Sequence, residues 1–287
     1  MKRILSLGIL LLAIASSAWT APIVIKTPMT EAEQEKVDAF IGGRDLRSID
    51  SYFSPYLDSI APVEQILFRK AVLLGGLDAA FVPLIVPNSA RARETIRNGS
   101  ALGGGTAQWH IYLQELHNEV LESDVVIPQG SYEKGLYTTL KNQNRYVIKS
   151  QQDLQKLSAI TSKTWEIDWN TLDSLKLAEL YSAPTRPLQF KMIEGGRADF
   201  TLQDFSALPD LSIEEHGVRL FPIPGVKIAL NGTRHYFINK NQPNSRVVFD
   251  ALQKGLRILQ QRGEIKRALV ESGVLNPAVK DWILINP

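Results

Sequence analysis

Hydrophobic and polar positions along the chain switch between a two-residue and a helical period, and the switches predict a series of strand–helix units. Ile23-Val24-Ile25-Lys26-Thr27-Pro28 is a β-branched run closed by proline, which reads as a first strand. Thr30-Glu31-Ala32-Glu33 has the form of a capping box and predicts a helix to Phe40, stopped by Gly42-Gly43. From Pro62, the residues Val63, Ile66, Leu67, Ala71, Leu74 and Leu77 recur at helical spacing and end near Gly75-Gly76. Phe81 to Val86 reads as a second strand. Ser89 then caps a helix from Ala90 to Asn98, with Gly99 as its stop. Ala101-Leu102 leads a third strand into Gly103-Gly104-Gly105-Thr106.

Strand, helix, strand, helix, strand is the order of a parallel sheet with helices packed on it. Ligands of such sheets bind beyond the carboxyl ends of the strands. Position alone therefore makes Thr27, Gly104, Gly105 and Thr106 candidates. Tyr52, Phe53 and Tyr56 gather around Pro55, as loop packing or as an aromatic wall, and Tyr56 is kept as a ligand-binding candidate.

Asp124 to Pro128 and Gly135 to Tyr137 read as a crossing into a second set of units. There the pattern predicts helices at Gln151–Leu157, Asn170–Leu177 and Thr185–Glu194, and strands at Leu157–Thr161, Glu179–Ser182 and Ala198–Leu202. The extended stretch Gly217 to Lys240 reads as a second crossing, with Val226 to Leu230 leaving the distal lobe and Tyr236 to Asn239 rejoining the first. Ser245 caps a helix striped by Val248, Leu252, Leu256 and Leu259, and Glu264 to Ser272 forms a last one. The expected fold is α/β with two lobes, each a mostly parallel sheet flanked by helices, joined by two hinge crossings. The expected first lobe is 19–128 with 233–287, and the second is 129–232.

The N-terminus changes the picture of where the chain works. Met1-Lys2-Arg3, an apolar run from Ile4 to Ala15 and the small residues Ser16 and Ala18 make a secretory signal, with cleavage expected after Ala18. Of 32 Lys+Arg against 30 Asp+Glu, that cleavage removes Lys2 and Arg3 and leaves a formally neutral chain. No broad electrostatic footprint for nucleic acid or anionic membrane remains. The chain has no cysteine, so an exported form must draw its stability from its core. A bacterial periplasm is the expected compartment.

Gly196-Arg197-Ala198-Asp199-Phe200-Thr201-Leu202-Gln203-Asp204 resembles a G-[RK]-x-D-x-x-x-x-D run of periplasmic solute-binding proteins of ABC transporters. Tyr236-Phe237-Ile238-Asn239-Lys240-Asn241-Gln242-Pro243 is similar to the family's return segment before its terminal helix. The likeness is to the type 2 fold and to the members that capture polar amino acids. It implies that Asp204, after Gln203, pairs with a ligand ammonium group by a charge-assisted hydrogen bond. It also implies that Ser162-Lys163-Thr164-Trp165 opens a helix whose N–H groups can receive an anion.

One departure from the family matters. Members that bind α-amino acids supply an arginine soon after the glycine-rich strand, to clamp the carboxylate. Here Thr106 to Asn118 reads TAQWHIYLQELHN, without arginine or lysine. Trp109, beside Gln108, stands there instead and suits stacking on a flat group.

Three enzyme motifs are absent: there is no HExxH, no G-x-S-x-G elbow and no GxGxxG. His110, His117, His216 and His235 are the only imidazoles, and they read as structural or surface residues. The same fold hosts periplasmic dehydratases, which would need a cleft acid such as Glu166, Asp168 or Glu194.

The reading is thus a binding protein for a small polar or aromatic solute, closing about a hinge and serving an ABC permease or a membrane receptor. No catalytic residue, cofactor, metal or nucleic-acid partner is expected, and the expected state is a monomer. Thr106, Trp109 and Tyr56 would serve from the first lobe, and Thr164, Trp165, Gln203 and Asp204 from the second, with Arg234 and His235 in second rank.

Overall fold

The structure is a computed structural model that describes residues 21–286. The signal segment at 1–18 lies outside the described residues. Within them, no helix is long and apolar enough to cross a membrane.

The first strand, β1 (Ile23–Met29), feeds α1 (Glu31–Ile41) through the expected box: Thr30 Oγ1 accepts from the Glu33 N–H, and the Glu33 carboxylate accepts from the Thr30 N–H. A loop with one short 3-10 turn leads to α2 (Ile60–Leu74), then β2 (Ala79–Ile85) pairs parallel to β1. The helix α3 (Ser89–Arg97) is capped by Asn88, whose side chain accepts from the Arg91 N–H, so the expected cap moves from Ser89 to its neighbour. The expected third strand is reduced to one bridge, Gly103 opposite Ile238. Three consecutive glycines let the side chains of Ile238, Phe237 and Gln65 close directly onto the backbone there. A Cβ on Gly105 would fall 1.9 Å from Gln65 Oε1.

Next come β3 (Gln108–Trp109), α4 (His110–Gln114) and β4 (Val120–Ile127). The chain crosses and enters β5 (Glu133–Thr138), followed by α5 (Leu140–Gln143), α6 (Gln151–Leu154), β6 (Ser158–Thr161) and α7 (Glu166–Ser174). The helix α7 starts four residues before the expected Asn170, because Ile167 and Leu172 are buried on one side of it. Then follow β7 (Glu179–Ser182), α8 (Arg186–Glu194), β8 (Phe200–Gln203) and the short β9 (Ile213–Glu215). The long β10 (Val218–Ala229) and β11 (Arg234–Asn239) resolve the predicted second crossing. α9 (Ser245–Gln261), α10 (Glu264–Glu271) and β12 (Ile283–Leu284) close the chain.

The second lobe is one sheet in the order β12-β10-β5-β8-β6-β7 with β9 on β10. It is parallel among β6, β7 and β8, where strand–helix units supply the strands, and antiparallel where the crossing strands β5 and β10 enter. In the first lobe β11 lies antiparallel between β3 and β4. The last strand departs from the expected division: β12 pairs with β10, against the second sheet.

The first lobe is centred on the crossing of α2 and α9, where the backbones nearly touch. A Cβ on Gly75 would fall 1.9 Å from the Ala251 carbonyl oxygen, and one on Gly255 would fall 1.7 Å from that of Ala71. The two contacts are reciprocal, a glycine of each helix facing an alanine carbonyl of the other. One connected cluster of buried apolar residues continues from this crossing through Ile127, Tyr132 and Leu230 to Ile167 and Leu172 in the second lobe.

Candidate functional site

The site is built where the two crossings meet the lobes. Trp109 and Arg234 are direct partners across the β3–β11 pair, and the guanidinium lies over the indole at 4.8 Å from the ring centre. On its other flank Trp109 meets Tyr132, edge to face at 5.8 Å. Tyr132 reaches into the second lobe, where its hydroxyl donates to Asp204 Oδ1 at 3.1 Å. Two expected residues, Trp109 and Asp204, are thus joined through Tyr132, which no pattern in the chain singles out.

Arg234 is spoken for. Its Nε and Nη2 donate to the two oxygens of Glu64, each at 2.8 Å, and Nη2 also donates to the Ala107 carbonyl at 2.7 Å. Glu64 is fully buried and accepts the Ala107 N–H as well. Burial pushes the Glu64 carboxyl up against the pull of Arg234. Burial likewise opposes the charge on Arg234, but the Glu64 charge outweighs it and holds the guanidinium above its ordinary value. Three N–H groups converge on the carboxylate, two of them from the guanidinium fork.

The second lobe repeats the theme. Lys134, on β5, binds Asp168 of α7 at 2.6 Å and lies 3.9 Å from Asp204. Burial lowers the lysine and the two aspartates more than restore it, so its ammonium is held above the ordinary range. Asp204 itself is 61% exposed at the end of β8, the one carboxylate of the group open to solvent. Gln203 beside it is buried and donates to Thr201 Oγ1.

At the start of α7, Thr164 is exposed and Trp165 half-buried. The N–H groups expected to receive an anion are largely engaged. That of Thr164 goes to Ser162 Oγ, that of Trp165 to the Ser162 carbonyl, and that of Glu166 to the Tyr112 hydroxyl of the first lobe at 3.2 Å. Tyr112 is in turn covered by Arg93, 4.5 Å from its ring centre, and Arg93 donates to Gln108 Oε1. The lobes therefore touch across the cleft.

Thr106 accepts from Gln65 and lines a cavity of about 30 Å³ with Gly104, Gln108 and the end of β1, room for roughly one water. Thr27 is fully buried on β1. Tyr56 is exposed on the loop before α2, its N–H on Ser54 Oγ; Tyr52 of the expected aromatic group turns away to Glu264, and Phe53 faces solvent. A larger recess of about 740 Å³ opens behind the crossings, between α10 and Lys227, and none of the expected site residues lines it.

Of the acids an enzyme would recruit, Asp168 is paired with Lys134 and Glu194 is exposed at the end of α8. In the G-[RK]-x-D motif, Asp199 is structural. It accepts the N–H and hydroxyl of Ser158 and the hydroxyl of Tyr146, each at 2.7 Å, and ties the start of β6 to that of β8.

No protein-family model matches the chain, and no curated protein sequence matches it. Solved structures do. The probable amino-acid ABC transporter extracellular-binding protein ytmK from Bacillus subtilis is 15% identical at a TM-score of 0.53, over 86% of this chain and 97% of that one. The second substrate-binding domain of Lactococcus lactis GlnP, in its open conformation, is 10% identical at a TM-score of 0.50, over 87% of this chain and 95% of that one. The chain has the two-lobed type 2 periplasmic-binding fold.

Proposed function

We propose that the chain is a periplasmic binding protein, exported by its N-terminal signal, that captures a small polar or aromatic solute by hinge closure. One lobe would comprise 19–128 with 233–287 and the other 129–232, except that β12, near the end of the chain, lies on the second lobe's sheet. The observation that carries this reading is Trp109, framed by Arg234 and Tyr132 where relatives of this fold would place a carboxylate clamp. The Arg234 fork is closed on Glu64, and Lys134 on Asp168. A charged amino acid would have to displace internal pairs, whereas a flat or neutral solute needs only the indole face and the exposed Asp204.

Ligand contacts from both lobes would favour the closed state over the open one. Delivery to an ABC permease or presentation to a membrane receptor would follow closure, with the protein as a monomer. That both solved relatives are binding proteins of this architecture supports a binding role over the dehydratase alternative.

The test is a thermal-shift screen of the mature chain against amino acids, polyamines, aromatic acids and small neutral osmolytes. A ligand at 100 times its Kd stabilises the native state by about 2.7 kcal/mol. The reading expects a shift from an aromatic or neutral polar compound that Trp109→Ala removes. It fails if no compound shifts the melting temperature, or if the active one is indifferent to Trp109.

A further inference from the structure

His110, Glu122 and His235 come together from three separate segments, with one ligating atom of each within 4.8 Å of the others. The geometry points to a divalent transition-metal site, for zinc by its ligand set, on the β4–β11 pair beside the start of α4. His110 Nδ1 lies 2.7 Å and His235 Nδ1 3.2 Å from the same oxygen, Glu122 Oε1, and the two imidazole rings are 5.5 Å apart. Donors bound tetrahedrally to zinc at about 2.0–2.1 Å are separated by about 3.3 Å. One of these spacings already has that value, and the other needs an opening of roughly half an ångström.

The backbone holds the three donors in place. The His110 N–H donates to the Thr233 carbonyl at 2.9 Å, which anchors the start of α4 to the turn before β11. Glu122 and His235 stand on the paired strands β4 and β11. Because successive side chains of a strand point to opposite faces, His235 lies on the face of β11 opposite Arg234, and the start of α4 brings His110 to that side, 5.5 Å from it ring to ring. Two imidazoles and a carboxylate are the donor set of open zinc sites, and His110, 47% exposed, leaves an entry path.

The second nitrogen of His235 is also provided for. Nε2 is 2.8 Å from Thr233 Oγ1, and Nδ1 is 2.8 Å from the Ser123 carbonyl. Without metal, Nδ1–H donates to that carbonyl and the threonine hydroxyl donates to Nε2. With metal on Nδ1, the proton sits on Nε2 and the same hydroxyl accepts it, so the tautomer changes without losing its partner. The Ser123 carbonyl then faces the ion as a fourth ligand.

Zinc should be titrated into the tag-free mature chain against a chromophoric chelator, with cobalt as a spectroscopic substitute. The expected result is one equivalent bound with micromolar or tighter affinity, and visible cobalt bands of a four- or five-coordinate nitrogen–oxygen site. His110→Ala, at an exposed position, should abolish both, and Glu122→Gln should weaken them. Thr233→Val should cost about 10–100-fold in affinity through the orientation of His235. His117→Ala, outside the cluster, should change nothing. Absence of stoichiometric binding below 100 μM, or binding unaffected by His110→Ala, overturns the site. Neither result bears on the solute cleft, whose ligand is read by Trp109.

Discussion

Arg234 stacks on Trp109 while its two-pronged face is locked on Glu64, so one guanidinium serves both as the wall of the cleft and as the counter-charge of a buried acid. Residues 64 and 234 are tied through the floor of the site.

The first prediction tests that tie. Glu64→Ala leaves a buried guanidinium unpaired and should destabilise the protein by about 3–5 kcal/mol. The double variant Glu64→Leu with Arg234→Met should lose much less than the sum of the single changes, because two buried apolar groups need no partner. Urea unfolding of the four members of the cycle measures the coupling.

Trp109→Ala should lower affinity for the captured solute at least tenfold while the protein stays folded, since the indole is only half-buried. Calorimetric titration with the compound found by the thermal screen measures it. An affinity within twofold of the parent would remove Trp109 from the site.

Asp204→Ala separates two ligand chemistries. If the solute carries a cation, its affinity should fall at least tenfold. If the solute is neutral, the change should be small, because Lys134 already faces that carboxylate. Comparing a cationic ligand with its uncharged analogue gives the answer in one pair of titrations.

The pH dependence of stability should carry a contribution from Asp199. Burial pushes its carboxyl up, but the Ser158 N–H, the Tyr146 hydroxyl and the Ser158 hydroxyl together hold it below the usual carboxylate range. A group depressed in the folded state adds stability above its unfolded value, about 3.9, and that stability is lost as pH falls through the folded value. Asp199→Asn should therefore be less stable at neutral pH and show a shallower loss of stability from pH 5 downward, read by chemical denaturation at successive pH values.

Gly255→Ala reverses a familiar sign. In an exposed helix interior alanine is better than glycine by about 1 kcal/mol. Here the added methyl meets the Ala71 carbonyl of the facing helix, so the change should destabilise by about 1–3 kcal/mol or more. Thermal and urea unfolding decide it, and a gain in stability would contradict the close crossing of α2 and α9.

Much of this architecture was legible in the chain because it is local. The capping box of α1, the apolar stripe of α9, the β-branched run of β1 and the Tyr-Phe-Ile run of β11 state their structures within a few residues. Less legible was whatever depends on partners far apart. Glu64 and Arg234 are separated by 170 positions, and no period or spacing links them. Tyr132 and Lys134 stand in an ordinary crossing segment, and only the folded chain brings them against Asp204. The histidines show the same limit. His110 and His117 share a helical spacing, yet α4 ends at Gln114 and His110 meets His235 instead. The aspartates of the family-like motif divided in a way sequence could not foresee, Asp199 buried in bonds of its own and Asp204 open.

Lys227 has a consequence for how the lobes can move. It sits in the crossing strand β10, pairs at 2.7 Å with Glu133 of the other crossing strand, and donates to the carbonyls of Val279 and Lys280. With β12 laid along β10, the two crossings and the closing segment form one riveted plate. A plate does not flex at its rivets. Under the proposed hinge closure, rotation of the lobes would fall to the short joints at 128–132 and 230–233, and the plate would travel with the second lobe as a lever arm. The swing of the closing residues, and not that of the cleft, would then report the angle between the lobes, so a fluorophore placed at Lys280 becomes a goniometer for opening.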